Sequence, residues 1–316
     1  MMGRHLPRVS PLPRRSARPQ NVVYLSRARI HFNETRETMC RWMAYLGEPV
    51  LAEDLVFRPI HSIIDQSLHA KLTGVTTNGD GFGIGWYGDR PAPPSIYKGT
   101  HPAWNDENLR EVAGHIRTPL LFAHVRASSG TPVQRSNCHP FRHGRWLWMH
   151  NGSLANFGEV RRDLQMAVDP TLFRQIEGST DSETLFFLAL TFGLTEDPPN
   201  AVARAVGLVE DVGRRHGVKY PVHMTVAASD GDSIWLFRYS TEKSTSSLYY
   251  STDARQVRQL YPELKVLTEL GDDSRFIVSE PLRDLPGAWN EVPDGSWGRV
   301  HRGGQEIQPF TPVHST

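Results

Sequence analysis

The sequence is short of the features that would assign it to several common classes of protein. It has only two cysteines, Cys40 and Cys138, in 316 residues. That is too few for a secreted scaffold held together by disulfides, and it favours a reducing cytoplasm. No apolar run approaches the ~20 residues that a membrane span needs. The net charge is +1, so nothing in the overall charge indicates binding to nucleic acid or to an anionic membrane.

Signals for a bound metal or cofactor are also lacking. The sequence has fourteen histidines, but none pairs with a cysteine at a spacing typical of zinc sites. The Gly-x-Gly of residues 83–85 is not followed by a predicted helix, so a phosphate-binding loop is not indicated. We therefore expect neither a metal nor a cofactor.

Charge is distributed unevenly along the chain. Residues 1–39 hold eight arginines, no lysine and two glutamates, a net charge of +6 that leaves −5 for the remainder. This segment lacks helix or strand periodicity and has no apolar stretch of signal-peptide length. We expect a disordered leader at 1–39, arising from a start assigned too early, with Met39 as the true initiator. A transit peptide and a cleaved propeptide are the alternatives.

The remainder, residues 40–310, is expected to form one domain of mixed strands and helices. Strands are predicted at 39–46, 82–87, 120–126, 146–150, 222–229 and 233–239, and helices at 61–71, 105–116, 180–192 and 201–216. The last two strands are predicted to form a hairpin. The elements do not follow a regular βαβ alternation, which argues against a doubly wound parallel sheet.

Cys40 is the candidate nucleophile. A thiol is a strong nucleophile only as its thiolate. If Cys40 becomes the first residue, its own α-amino group, with an ordinary pKa of ~7.7–8.0, can act as the base. Removal of an initiator Met39 would expose that group. A buried structural cysteine is the alternative when Cys40 is considered alone.

Several short segments, taken in order, carry a family resemblance. They are 39–41 (Met-Cys-Arg), 78–83, 123–126 (Ala-His-Val-Arg), 138–141, 150–152 (His-Asn-Gly) and 180–183 (Thr-Asp-Ser-Glu). Together they resemble the class II (N-terminal nucleophile) glutamine amidotransferases. The tail, with Ser279–Leu282, is similar to the stand-alone bacterial branch, which includes γ-glutamyl hydrolases of ergothioneine synthesis and glutathione breakdown.

The resemblance covers residues 39–300 and implies a fold. The expected architecture is α+β, a four-layer αββα sandwich of two antiparallel sheets packed face to face. The predicted helices 105–116, 180–192 and 201–216 would supply the outer layers.

The resemblance also implies roles for single residues. The side-chain amide of Asn151 and the backbone N–H of Gly152 would bind the oxyanion formed by attack on a γ-carboxamide. Arg126 would bind the α-carboxylate of the substrate, and Asp181 its α-ammonium group.

Other residues have weaker or competing assignments. Ser128 and Ser129, just after Arg126, are weaker candidates for substrate contacts. Asp181 could instead be a helix N-cap, a role that Thr180 could fill.

The expected activity is glutamine amidotransfer or γ-glutamyl amide hydrolysis, through a γ-glutamyl thioester on Cys40. The substrate is then glutamine or another γ-glutamyl small molecule. Because the sequence ends soon after the glutaminase-like region, we expect ammonia to pass to a separate synthetase, or the amide simply to be hydrolysed. The alternatives are a catalytically silent binding or regulatory subunit of the same fold, and a cysteine-type acyl amidase.

Overall fold

The structure is a computed structural model and describes residues 40–68, 77–88, 92–128 and 130–314. The expected leader at 1–39, the end of the predicted helix 61–71, and Ser129 lie outside the described residues.

The described residues form thirteen β-strands and eight α-helices. The strands are Arg41–Leu51 (β1), Phe82–Tyr87 (β2), Ser95–Gly99 (β3), Arg117–Val125 (β4), Phe141–His143 (β5), Trp146–Leu154 (β6), Val222–Ser229 (β7), Ile234–Ser240 (β8), Tyr249–Ser251 (β9), Arg275–Val278 (β10), Trp289–Glu291 (β11), Ser296–His301 (β12) and Gly304–Pro309 (β13). The helices are Ala52–Val56 (α1), Ile63–Leu68 (α2), Glu107–Ala113 (α3), Phe157–Met166 (α4), Pro170–Phe173 (α5), Asp181–Thr191 (α6), Pro198–Arg215 (α7) and Ala254–Leu260 (α8).

The strands form two sheets in which neighbouring strands are antiparallel. The first sheet has seven strands in the order β11-β9-β10-β1-β4-β2-β3, and the second has six in the order β13-β12-β8-β7-β6-β5. In the first sheet β1 is central, with Met43 opposite both Val278 of β10 and Ala123 of β4. In the second sheet β6 pairs with β7 from Leu147 to Leu154.

Strand β1 is buried on both faces, which explains its nearly continuous apolar sequence. Because side chains alternate between the two faces of a strand, Trp42 and Ala44 pack between the two sheets. Met43 and Tyr45 pack on the opposite face, against the helical layer.

Helix α6 is strongly apolar and lies in the layer of helices that packs on the second sheet. Its run Leu185–Ala189 is fully or nearly fully buried, because the helix packs on β6 and also contacts α4 and α7. A helix that is covered on several sides needs apolar residues all round rather than on one stripe.

Three hydrophobic cores separate four layers. One core joins the first sheet to α1, α2 and α3, and a second joins the second sheet to α4, α6 and α7. The third lies between the two sheets and consists mainly of their strand residues, with Phe122 and Leu147 among its members. The expected α+β, four-layer αββα sandwich is therefore confirmed.

Some predicted boundaries differ from the structure. Strand β1 continues beyond Gly47 to Leu51, with a register irregularity between Leu46 and Val50. The predicted helix 105–116 is shorter, because Ala103–Asn105 forms a 3₁₀ turn and Asp106 then caps α3. Helix α4 was not predicted.

Among the described residues, no helix has both the length and the apolar character needed to cross a bilayer.

Candidate active site

Cys40 lies directly before β1 and beside the end of β4. Its thiol donates to the carbonyl oxygen of Ala127 at 3.4 Å, and the N–H of Ala127 lies 3.3 Å from Sγ. The Cys40 side chain is half-buried. The adjacent central strands β1 and β4 hold this contact in place, since Arg41 pairs with Val125.

The carbonyl oxygen of Cys40 accepts two side-chain hydrogen bonds. Asn151 Nδ2 donates to it at 2.8 Å and Arg41 Nη1 at 3.1 Å. Asn151 reaches Cys40 from β6, across the space between the two sheets. An amide nitrogen carries two hydrogens, and within the described residues the second hydrogen of Asn151 has no acceptor.

Arg41 is fixed by a buried network of charges. Its Nε donates to Glu280 Oε2 at 3.0 Å, and both side chains are 3% exposed. The other oxygen of Glu280 lies 2.6 Å from His61 Nε2, and His61 Nδ1 lies 2.7 Å from Asp65 Oδ2. The network therefore links the residue after the candidate nucleophile to α2 and to the segment after β10.

A partial sequence signal exists for this network. Glu280 lies in the segment Ser279–Leu282 that resembles the stand-alone branch, but the sequence assigned it no role. No local pattern singled out His61 or Asp65.

Some of the groups around Cys40 raise the pKa of its thiol and others lower it. Burial raises the pKa of the Cys40 thiol above its usual value, and the charge of Asp181 raises it further. The hydrogen bond from Ala127 and the charges of Arg126 and Arg41 lower the thiol pKa, but they do not cancel the effect of burial.

Arg126 is a buried cation that follows β4. It is 4% exposed, and its guanidinium donates to the Asp80 carbonyl at 3.2 Å, to Ser128 Oγ at 3.1 Å and to Thr131 Oγ1 at 2.6 Å. All three acceptors are neutral. Within the described residues no carboxylate pairs with Arg126, although burial of a charge strongly favours such a partner.

The residues around Arg126 hold its loop. Ser128 donates its hydroxyl to the Thr131 carbonyl at 2.6 Å, and its N–H donates to Asp80 Oδ2 at 2.8 Å. Ser128 therefore supports Arg126. No motif marks Thr131, and no role was predicted for Asp80.

Asp181 is the first residue of α6. Thr180 is the N-cap, since its Oγ1 accepts from the Glu183 N–H at 3.2 Å. Asp181 Oδ2 accepts from the Leu154 N–H at 2.8 Å, and Oδ1 from the Ser182 N–H at 2.7 Å. Thr180 therefore fills the N-cap role, and the carboxylate of Asp181 contacts Leu154 at the end of β6.

Gly152 lies where β6 and β7 approach closely. Its φ is +144°, and a Cβ built on it would lie 2.0 Å from the carbonyl oxygen of His223. Both observations require glycine at this position.

Three buried histidines lie behind the candidate site. His124 and His139 stack with their ring centroids 4.2 Å apart, and His150 is 1% exposed. Burial lowers the pKa of His124 to about 3 and that of His139 well below its usual value. Neither ring nitrogen of His124 or His139 has a hydrogen-bond partner within the described part of the chain. The histidines are therefore neutral groups of the interior.

Cys138 is buried, and its thiol donates to the Gly99 carbonyl at 3.4 Å. Burial raises the pKa of this thiol, so it is held as a neutral packed group. No cluster of three or more His, Cys, Asp or Glu side chains in the described ranges could hold a metal ion.

The fold and the site together define a class of protein. A cysteine at the start of a central strand meets an amide donor from the opposite sheet. A buried guanidinium and a carboxylate lie close enough to influence its thiol. A nucleophile, an oxyanion donor and one group of each charge are the requirements for attack on an amide that carries an amino-acid head group. This combination is typical of amidohydrolases with a four-layer sandwich fold.

Comparisons with known proteins agree with this class. Residues 62–314 match the family described as glutamine amidotransferases class-II. A probable glutamine amidotransferase, DUG3, of Saccharomyces cerevisiae is 32% identical over 287 residues, which cover 82% of this chain and 80% of the relative. A gamma-glutamyl-hercynylcysteine sulfoxide hydrolase of Mycolicibacterium smegmatis is 27% identical over 259 residues, covering 81% of this chain and 93% of the relative.

A solved structure agrees as well. A glutamine aminotransferase class-II domain protein from Silicibacter pomeroyi superposes with a TM-score of 0.66 at 34% identity, covering 87% of this chain and 100% of that one. The chain belongs to the class II glutamine amidotransferases, and the expected family and enzyme class are confirmed.

Proposed function

We propose that this enzyme cleaves γ-glutamyl amides through a thioester on Cys40, with Cys40 as the first residue of the active protein. One observation carries the proposal: groups from three elements converge on Cys40. The amide of Asn151 donates to its carbonyl oxygen, Ala127 next to Arg126 contacts its thiol, and the charge of Asp181 acts on its pKa.

The reaction begins with a proton transfer within Cys40. The α-amino group takes the thiol proton, and Sγ attacks the γ-carbonyl carbon of the substrate. The carbonyl oxygen becomes an oxyanion that accepts hydrogen bonds from the second hydrogen of Asn151 Nδ2 and from the N–H of Gly152. The α-ammonium group of Cys40 returns the proton to the leaving amine as the C–N bond breaks. Water then hydrolyses the thioester and releases glutamate.

The amino-acid head group is bound by the two charged groups. The guanidinium of Arg126 has only neutral acceptors among the described residues, and the substrate α-carboxylate supplies the missing anion. The carboxylate of Asp181 binds the α-ammonium group. Ser128 holds Arg126 and acts through it, and we retain Ser129 as a weaker candidate contact.

The leaving group distinguishes two versions of the activity. The name of the mycobacterial relative supports γ-glutamyl hydrolysis, and the name of the yeast relative supports amidotransfer. The γ-glutamyl half would be bound in the same way in both. We propose hydrolysis with release of the amine. Transfer of ammonia from glutamine to a separate synthetase is the second version.

We also propose that residues 1–39 are absent from the active enzyme and that residues 40–310 form its one domain. The free, buried Cys138 supports a reducing, cytoplasmic compartment.

The test is glutamate release by protein that begins at Met39, with removal of Met39 confirmed by mass. The substrates are glutamine, glutathione and other γ-glutamyl amides, and Cys40→Ala is the blank. We expect release that is absent from the blank, and the best substrate identifies the leaving group. No release from any substrate by protein with a free Cys40 terminus would reject the stand-alone hydrolase.

A further inference from the structure

Two residues outside the proposed catalytic set form a chain of contacts that ends at Asp181. Ser182 Oγ lies 3.3 Å from Asp181 Oδ1 and 2.8 Å from His150 Nδ1. His150 and Ser182 are 1% and 6% exposed. These contacts therefore run through the protein interior, from β6 to the carboxylate at the start of α6.

The hydrogen bonds of Asp181 leave one acceptor position open within the described residues. Oδ1 accepts from both the N–H and the hydroxyl of Ser182, and Oδ2 accepts once, from the N–H of Leu154. Each carboxylate oxygen has two lone pairs. The remaining position is therefore on Oδ2, and Ser182 determines how the carboxylate is turned.

The direction of the hydrogen bonds follows from the carboxylate. Ionised Asp181 can only accept, so Ser182 donates its single hydroxyl proton to Oδ1. The Ser182 oxygen then accepts from the Nδ1–H of His150. Burial lowers the pKa of His150, which favours the neutral ring.

We propose that Ser182 and His150 are positioning residues that aim Asp181 at the substrate α-ammonium group, so that together they determine the preference for γ-glutamyl over glutaryl substrates. The inference rests on the proposed function and in particular on the role of Asp181. Without the Ser182 hydroxyl, Oδ1 keeps the N–H of Ser182 but loses its connection through that hydroxyl to His150, so the carboxylate is held less firmly. Binding of the ammonium group then weakens, while the nucleophile and the oxyanion donors are unchanged.

The experiment compares two chromogenic substrates that differ only in the α-amino group: γ-glutamyl p-nitroanilide and glutaryl p-nitroanilide. We expect Ser182→Ala to lower kcat/KM about tenfold for the γ-glutamyl substrate, mainly through KM, and less than about twofold for the glutaryl substrate. Ser182→Thr keeps the hydroxyl and should restore the preference.

A matched control comes from the same helix. Thr184 has a buried hydroxyl that donates to the Thr180 carbonyl at 3.3 Å and accepts from Gln165 Nε2 at 3.2 Å. It makes no hydrogen bond to Asp181 in the described structure. Thr184→Val therefore removes a buried hydroxyl from α6 and should leave the ratio of the two kcat/KM values unchanged.

The contact between His150 and Ser182 is tested by replacing His150. His150→Asn keeps an N–H donor near the position of Nδ1 and should retain most of the preference. His150→Ala should lose the preference as Ser182→Ala does.

The outcomes separate the inference from the proposed function. A wild-type enzyme that cleaves neither substrate, and no other γ-glutamyl amide, contradicts both. Equal cleavage of the two substrates by the wild type contradicts the role of Asp181. If the wild type prefers the γ-glutamyl substrate and Ser182→Ala lowers kcat/KM for both substrates equally, the preference is intact. That result contradicts the positioning role alone. If glutaryl turnover is too slow to follow, the inhibition constants of L-glutamate and glutarate give the same comparison.

Discussion

At the scale of single residues, the surroundings of Cys40 hold the proposed nucleophile in place but raise the pKa of its thiol. Burial raises the thiol pKa more than Arg126 and Arg41 lower it. Among the described residues, the hydrogen-bond partners of Sγ are the N–H and carbonyl of Ala127, and neither can take up a proton. Catalysis therefore needs a base from elsewhere, and the α-amino group of a terminal Cys40 is the base in the proposed reaction.

Replacing Glu280 should disturb the network that holds Arg41 against the Cys40 carbonyl oxygen. Glu280→Gln leaves Arg41 and His61 facing a neutral amide in the interior. We expect a loss of about 3–5 kcal/mol in the free energy of unfolding, since the variant breaks the buried ion pair with Arg41. Denaturant unfolding measures it.

An exposed pair provides the comparison for Glu280. Glu111 and His115 lie 3.4 Å apart, with both side chains 80% exposed, and an exposed pair contributes little. Glu111→Gln should leave the denaturation midpoint unchanged. If the two variants unfold alike, the buried network does not hold the site together.

At the scale of elements, the close approach of β6 and β7 at Gly152 shapes the candidate oxyanion site. Gly152→Ala places a methyl group against the His223 carbonyl at a positive φ. We expect a loss of at least about 2 kcal/mol in stability, together with loss of amide cleavage. Thermal unfolding and glutamate release measure the two effects.

Gly158 is the matched control. It lies in α4, and a Cβ there meets nothing within 4 Å. Gly158→Ala should keep activity and stabilise the protein by about 0.5–1 kcal/mol. A Gly152→Ala protein as stable and active as Gly158→Ala would show that the close approach is not needed.

Some elements could be predicted closely from the sequence, and others could not. Strands β2 and β7 were predicted with their observed bounds, because their apolar runs end at turns. Helix α4 was missed because it lacks a start signal. Asn156 precedes it in a left-handed conformation and makes no side-chain cap.

The site residues could be predicted better than the contacts between them. Motif order marked Cys40 and Arg126, but the partner of Arg41 is 239 positions away, and no local pattern predicts so distant a pair. No motif predicts the contacts of Glu183 either, whose carboxylate accepts from the N–H groups of Glu177 and Gly178 in the preceding loop.

At the scale of the whole molecule, the buried histidines link stability to pH. The folded pKa of His124, about 3, lies below the value of about 6.5 expected in the unfolded chain. The unfolded state therefore binds more protons below that value, so this contribution to stability is present above about pH 6.5 and is lost as the pH falls. His139 acts in the same direction.

We expect the free energy of unfolding to fall between pH 6 and pH 5 by about 1 kcal/mol for each such histidine. His124→Asn should make the slope shallower by that amount. His115→Asn, at a side chain that is 80% exposed, should leave it unchanged. Parallel slopes for the wild type and His124→Asn would mean that His124 titrates normally in the folded protein.

The most direct test of the central claim is a comparison of one protein before and after Cys40 is exposed. A removable segment placed before Cys40 is cleaved by a site-specific protease, and glutamate release from the best γ-glutamyl substrate is measured in both states. We expect no release before cleavage. After cleavage we expect release that rises with pH through the α-amino pKa of about 7.7–8.0 and is absent from Cys40→Ala. Equal release in both states, or release by Cys40→Ala, would contradict the assignment of Cys40 as an N-terminal nucleophile.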